Sequence, residues 1–402
     1  MRCSRIILAT LALTTAPGAF AQTPDTGSPT ITVIGPNLGE SEARLKACIA
    51  RQCSVSDEID ATLGHAEAQF VAGHYRDARA TLQAGISRNR RHADSAPEPV
   101  ADLLRADARV AAHLGFAGKS RQGMMASEHV LRRAFGEQDR RAIVARIATA
   151  DAWQAVGRFE AARDAYAAAA RLAREADAPR IEGMALLRRA SLDAQLSSVQ
   201  GGTGRPESLE ALLARTDPEL EPFVNAARIV EARIRLRDGD PDAMEAIIAS
   251  ARQSQGDQPL LLHKPVIVLG PAGDEVVDRL DNRQMPKVAT MSSELLKVPV
   301  EDNWADFGFW IGADGRVRDV ELLRAGPRLS KEWPKLVLRE LAGRRYAPMA
   351  PGTDDPGFYR VERYSMTSAF EDGIKSRIRS RSAQRRLVRL DLTAPPKPAT
   401  TS

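Results

Sequence analysis

Cysteine is scarce in this chain: the 402 residues hold three, Cys3, Cys48 and Cys53. No C-x-x-C pair and no further ligand accompanies them, so a cysteine-built metal or redox centre is excluded. Histidine is almost as rare. His65, His74, His92, His113, His129 and His263 include no pair at metal-site spacing with a supporting carboxylate. Long apolar runs are missing as well, and nothing approaches the roughly 20 residues that a spanning helix needs. There is no G-x-S-x-G elbow and no phosphate-binding glycine loop: Gly201-Gly202-Thr203-Gly204 follows no strand and lacks the lysine. The paired carboxylates Asp354-Asp355 sit in a Pro/Gly loop, where solvent keeps them from acid/base work. A strong excess of one charge is also lacking. Lys and Arg number 57 against 52 Asp and Glu, a formal +5, which does not suggest nucleic acid. These absences argue against an enzyme and against any cofactor, metal or nucleic-acid partner.

What is present begins with the first 21 residues. Arg2 and Arg5, the apolar run "IILATLAL" and Ala19-Phe20-Ala21 have the layout of an export signal cleaved near Ala21. The expected compartment is a bacterial periplasm. Residues 22–40 are rich in Pro, Gly and Thr and read as a flexible segment. Removal of the signal would leave Cys48 and Cys53, and an even pair in an oxidising compartment reads as a disulfide. Five residues along one α-helix turn the second thiol about 140° away from the first. A bridge therefore requires the helix through "SEARLKACIA" to stop near Arg51-Gln52 and the chain to double back.

An internal repeat occupies residues 41–255. "AEAQFVAGHYRDARATLQAGI" and "ATADAWQAVGRFEAARDAYAAAARLA" each read as helix, glycine, an aromatic two positions on, an alanine three further, then a second helix. The positions are Gly73, Tyr75 and Ala78, then Gly157, Phe159 and Ala162. Gly115 lies midway, 42 residues from each of the other two glycines, and weaker turns fall at Gly201-Gly202 and around Gly239. Glycine would end the first helix in a left-handed cap, the aromatic would fill the gap between helices, and alanine would let them approach. Trp153 and Tyr166 read as core. These segments resemble tetratricopeptide (TPR) repeats. The resemblance implies a helical solenoid whose concave face holds a peptide or protein.

After "QSQGDQP" the character changes to strands. Phe307, Phe309 and Ile311 share one strand face, the chain turns at Asp314-Gly315, and Val317 opens a second strand. Trp333, Leu336, Val337 and Leu341 then form a helical stripe capped by Ser330, and "GFYRVERYSM" closes a β-β-α-β order. The fold class expected is thus mainly α, a helical solenoid followed by a small α+β domain over residues 260–370. That domain resembles the C-terminal domain of TonB-type energy transducers through Asp314, Gly315, Val317, Asp319, Val320, Arg345, Tyr346 and Pro348. No membrane helix or long Pro-rich linker accompanies it, so the resemblance implies binding by a sheet edge more than force transduction. "SPTITVIGPN", with Ile31, Val33 and Ile34, is similar to the box that outer-membrane receptors present to such domains, and could pair with a strand edge here or on a partner. Residues 371–402 read as a basic, disordered tail. Its arginines make anionic lipid or lipopolysaccharide a candidate contact beside protein partners of the cell envelope. The expectation is a non-enzymatic interaction or scaffold protein, with a transducer component acting on outer-membrane receptors as the alternative.

Overall fold

The computed structural model describes residues 37–202, 204–240, 242–253, 259–269, 275–277, 303–348, 357–371 and 380–393. The export signal and the Ile31–Ile34 segment lie outside the described residues. Among the described residues eleven α-helices come first. α1 (Leu38–Ala50) is followed by five antiparallel pairs. These are α2 (Val55–Val71) with α3 (Tyr75–Asn89), α4 (Pro97–His113) with α5 (Ala117–Phe135), and α6 (Arg140–Ala155) with α7 (Phe159–Glu175). The last two are α8 (Pro179–Val199) with α9 (Glu207–Leu213), and α10 (Glu221–Arg237) with α11 (Ala243–Gln253). The first helix starts at Leu38 because Asn37 caps it, accepting from the Gly39 and Glu40 N–H groups, so the preceding segment ends earlier than position 40. Ser54 and Asp139 cap α2 and α6 in the same way, and prolines open α4 and α8.

The repeat is written in its turns. At Gly73, Gly115 and Gly157 the backbone has φ of 88°, 84° and 73°, the left-handed region. In each turn the residue after the glycine bonds back five positions, as His74 N–H does to Gln69 O, Phe116 to Ala111 and Arg158 to Trp153. The glycine itself bonds back three positions. This is the Schellman arrangement, which satisfies two carbonyls that a helix end otherwise orphans. Gly201 and Gly239 repeat it between the helices of the fourth and fifth pairs. Ala78 and Ala162 are fully buried where the helices close up. α1 ends by the same device, with Gln52 at φ 51° and the Cys53 N–H on Cys48 O. The chain doubles back there, and a disulfide joins Cys48 to Cys53 across a Cα–Cα distance of 5.2 Å.

Phe159 corrects an expectation. It opens α7 as Tyr75 opens α3, yet it is 38% exposed and fills no gap, whereas Tyr75 is completely buried. Tyr166 takes the core position of the third pair instead, its hydroxyl donating to Asp151 at 2.6 Å. Phe70 and His113 pack on Tyr75 from within the array, but part of its burial has another origin.

That origin is the C-terminal region. Its main sheet has the order β5-β4-β7-β8, with β4 Trp304–Ile311, β5 Val317–Ala325, β7 Phe358–Glu371 and β8 Ser380–Asp391, every neighbour antiparallel. Two short two-stranded sheets accompany it. β1 (Leu261–His263) pairs with β6 (Arg345–Tyr346), and β2 (Val266–Val268) pairs with β3 (Glu275–Val277). Ala305, Phe307, Phe309 and Ile311 project from β4 onto α12 (Trp333–Gly343) and bury Trp333, Leu336, Val337 and Leu341. Ser330 stands ahead of that helix without capping it; its hydroxyl accepts only from the Glu332 N–H.

The basic tail is a second correction. Residues 380–391 form β8, which pairs with β7 from Glu362↔Asp391 to Glu371↔Ser380. Few apolar residues mark this strand. It is held by main-chain pairing, by Leu387 against the core, and by Arg389 on Glu362 at 3.0 Å. The β-β-α-β order therefore gains a fourth strand, and β8 lies between β7 and any external strand.

Candidate functional site

Two faces of the main sheet have different partners. The inner face carries a buried ionic cluster: Arg344 donates to Glu340 at 2.9 Å, to Glu362 at 3.0 Å and to the hydroxyl of Tyr346 at 3.2 Å. All three charged side chains are fully buried. Burial opposes the Arg344 charge, but Tyr364, Glu362 and Glu340 hold its pKa above the ordinary value. For Glu362 burial pushes upward and the Arg344 hydrogen bond prevails, leaving the carboxyl below its usual range. This cluster fixes α12, β6, β7 and β8 to one another.

The outer face is seated on the first helical pair. Trp304 enters the cluster formed by Ile59, Ala66, Tyr75, Ala78 and Leu82. It can do so because Gly73 has no side chain, since a Cβ there would overlap the indole. Gly73 thus serves both a left-handed turn and a close approach. Arg363, one strand over, stacks on the Trp304 ring at 3.9 Å and grips Asp306 in a two-point pair of 2.6 and 2.9 Å. Its remaining nitrogen donates to Phe70 O at 3.2 Å and to the Tyr75 hydroxyl at 3.4 Å. Phe70 lies in the last turn of α2, where carbonyls carry the negative end of the helix dipole and a cation is favoured. Tyr75 also bonds Ser365 at 3.2 Å, and Arg324 of β5 donates to the Asp306 Oδ2 that Arg363 shares, at 2.9 Å. His113, the last residue of α4, packs on Tyr75 and Phe70 with ring centroids 4.3 and 5.0 Å away.

The far end of the array is also tied to this region. Leu260 and Leu262 pack on Ile229, Ala232 and Ile247, and Arg233 donates to Leu261 O at 2.8 Å. The C-terminal region therefore contacts both the first and the fifth helical pairs.

The residues singled out in the sequence fall into separate groups. Gly73 and Tyr75 are at the junction; Ala78 lines its core; Gly115, Gly157 and Ala162 belong to turns and packing elsewhere. Asp314 accepts from the Arg316 N–H, and Gly315 (φ 75°) lets the turn press on the Tyr346 carbonyl, which a Cβ would overlap. Val317 and Val320 pack on the sheet core, Tyr346 is buried, and Pro348 is exposed. Trp304, Asp306, Arg363 and His113 are what the sequence reasoning passed over. A signal existed for one of them: Trp304 alternates onto the face opposite Phe307 and Phe309, and so large an apolar ring needs a cover of its own.

Two other surfaces bear on binding. β5 is an outer strand, but Asp319 breaks it with a φ of 50°, and Arg318, Glu321 and Arg324 charge it. Such an edge resists strand addition. Between α5, α6 and α7 lies a cavity of about 330 Å³ with Met125, Trp153 and Ala165 as apolar lining and Glu128, Arg132 and Arg146 at its polar side. Arg121 stacks on Trp153 at 4.6 Å. Among the described residues no group of three or more His, Cys, Asp or Glu could hold a metal ion, and no helix is long and apolar enough to cross a membrane.

The chain matches no protein-family model and no curated protein. Among solved structures, it is similar to the crystal structure of BtubC (BKLC) from P. vanneervenii at 12% identity and a TM-score of 0.42, over 59% of this chain and 98% of that one. It is also similar to a Rap protein complexed with competence and sporulation factor, at 15% identity and a TM-score of 0.38, over 55% of this chain and 59% of that one. At these scores neither likeness identifies a family.

Proposed function

We propose that the chain is a non-enzymatic scaffold that holds protein partners on its TPR-like helical array in the periplasm. The single observation behind this reading is the set of five helical pairs with recurring Schellman turns, an architecture whose stacked pairs leave continuous side-chain surface for another chain. The cavity beside Trp153 is the part of that surface where apolar area lies beside paired charges, Arg146 on Glu128 and Arg132 on Glu137, which suits a segment with one apolar anchor and polar flanks. The C-terminal domain acts as a fixed brace for the array. The alternative, a TonB-like transducer component that receives a receptor strand, is less favoured because β8 already pairs with β7 and β5 is bulged and charged. Contact of the tail with anionic lipid is weakened in the same way, because Arg389 is engaged by Glu362. Affinity capture from envelope extracts with residues 22–402 tests the reading. A saturable protein partner should be retained, and Met125→Glu with Arg132→Glu should lose it at unchanged thermal stability. Retention by the double variant would move the site elsewhere on the array; the absence of any saturable protein partner would overturn the scaffold reading.

A further inference from the structure

The contact between sheet and array contains a histidine in an unusual position. His113 is only 6% exposed, boxed by the rings of Tyr75 and Phe70, and its Nε2 has no hydrogen-bond partner among the described residues. Two guanidinium groups from the sheet act on it, Arg363 of β7 and Arg386 of β8. On the helical side the neighbouring titratable group is the Tyr75 phenol, neutral and itself pushed upward by burial. The carboxylate of the junction, Asp306, is already shared between Arg363 and Arg324.

We propose that this junction is an acid-sensitive clasp: neutral His113 lets the sheet stay seated on the first helical pair, and a proton on His113 releases it. A charged imidazole here would be a third cation at the junction beside Arg363 and Arg386, with nothing to accept its Nε2 proton. The C-terminal dipole of α4 and the rings of Tyr75 and Phe70 favour that charge, but neither supplies an acceptor for the buried N–H. Burying an ion without a counter-charge outweighs these attractions, so the neutral form prevails while the sheet is seated. Accordingly burial, then Arg363 and Arg386, lower the pKa of His113 from 6.5 to about 4. Lifting the sheet removes both arginines and uncovers the ring at a helix end, where it returns toward 6.5. The group binds its proton more tightly in the released state, so closing weakens as pH falls below 6.5 and levels off near 4. Between pH 7.5 and pH 5 the closing constant should fall about 30-fold. Release would uncover Phe70, Tyr75 and His113, a surface of aromatic character on the first pair.

The test uses the full chain with nitroxide labels on cysteines introduced at the exposed positions Ala84 of α3 and Lys335 of α12. Distances between labels report the closed and released populations at pH 7.5, 6 and 5, and urea midpoints report the same linkage when the released population is small. The wild type should show the 30-fold loss, and His113→Gln should show none of it. Arg386→Gln, on an exposed side chain, should reduce the dependence without disturbing the buried junction, which keeps the test open if His113→Gln folds poorly. Equal pH dependence in wild type and both variants, by both readouts, would overturn the proposal.

Discussion

Gly73 and Gly157 hold equivalent places in their repeats, yet their surroundings differ. Both have positive φ, so an alanine at either costs about 1 kcal/mol from backbone strain alone. Nothing lies within 4 Å of a Cβ at Gly157, whereas at Gly73 it meets the Trp304 indole. Gly157→Ala should therefore lose about 1 kcal/mol, and Gly73→Ala that plus roughly 1–3 kcal/mol for displacing a packed ring. Urea unfolding of the two variants checks the difference, and equal losses would mean that Trp304 is not seated where described. Asp306→Ala is the harsher change, because it strands the fully buried Arg363 without its carboxylate, at about 3–5 kcal/mol. The glycines were legible in the sequence because a Schellman turn is local chemistry, written within six residues. The junction was not, because Trp304, Asp306 and Arg363 lie on the strand face that usually meets solvent, and the Gly73, Tyr75 and Phe70 that Trp304 and Arg363 meet are more than 200 residues earlier.

At the scale of elements, β8 shows where sequence reading stops. "RSRSAQRRLVRL" is basic and carries few apolar residues, so neither alternation nor hydrophobicity marks a strand. What makes it one is the unpaired edge of β7, a long-range circumstance. β4 pairs with one edge of β7, from Phe358 to Ser365, and β8 takes the opposite edge from Glu362 to Glu371. Ending the chain at residue 379 should expose that edge and leave Glu362 with Arg344 as its remaining guanidinium partner. The shortened protein should be less stable and should self-associate by strand pairing, measurable by urea unfolding and sedimentation. α1 offers the opposite case, an element whose closing feature was readable from two cysteines. Its loop is short, so Cys48→Ser with Cys53→Ser should cost about 2 kcal/mol and leave the helical pairs intact by circular dichroism.

For the whole molecule the consequence lies in cooperativity. A helical-repeat array is stabilised by nearest neighbours, and its end pairs, with one neighbour each, open first. Here the C-terminal region holds both ends, through Leu260 and Leu262 on the fifth pair and through Trp304 and Arg363 on the first. Opening the first pair then requires breaking the Arg363–Asp306 junction, and unfolding the sheet strips the cover from Tyr75. The two regions should consequently unfold as one. Near-ultraviolet signals, dominated by the aromatic residues of the sheet and junction, should change at the same urea concentration as the far-ultraviolet helical signal. Asp306→Ala removes the Arg363 tie to the first pair and leaves the Leu260 and Leu262 contacts on the fifth, the turns and the α12 core untouched. In that variant the first pair should open ahead of the rest, and the near-ultraviolet change should no longer coincide with the full helical transition. Separate transitions already in the wild type would mean that the sheet is a tethered module and that its contacts with the array contribute little to stability.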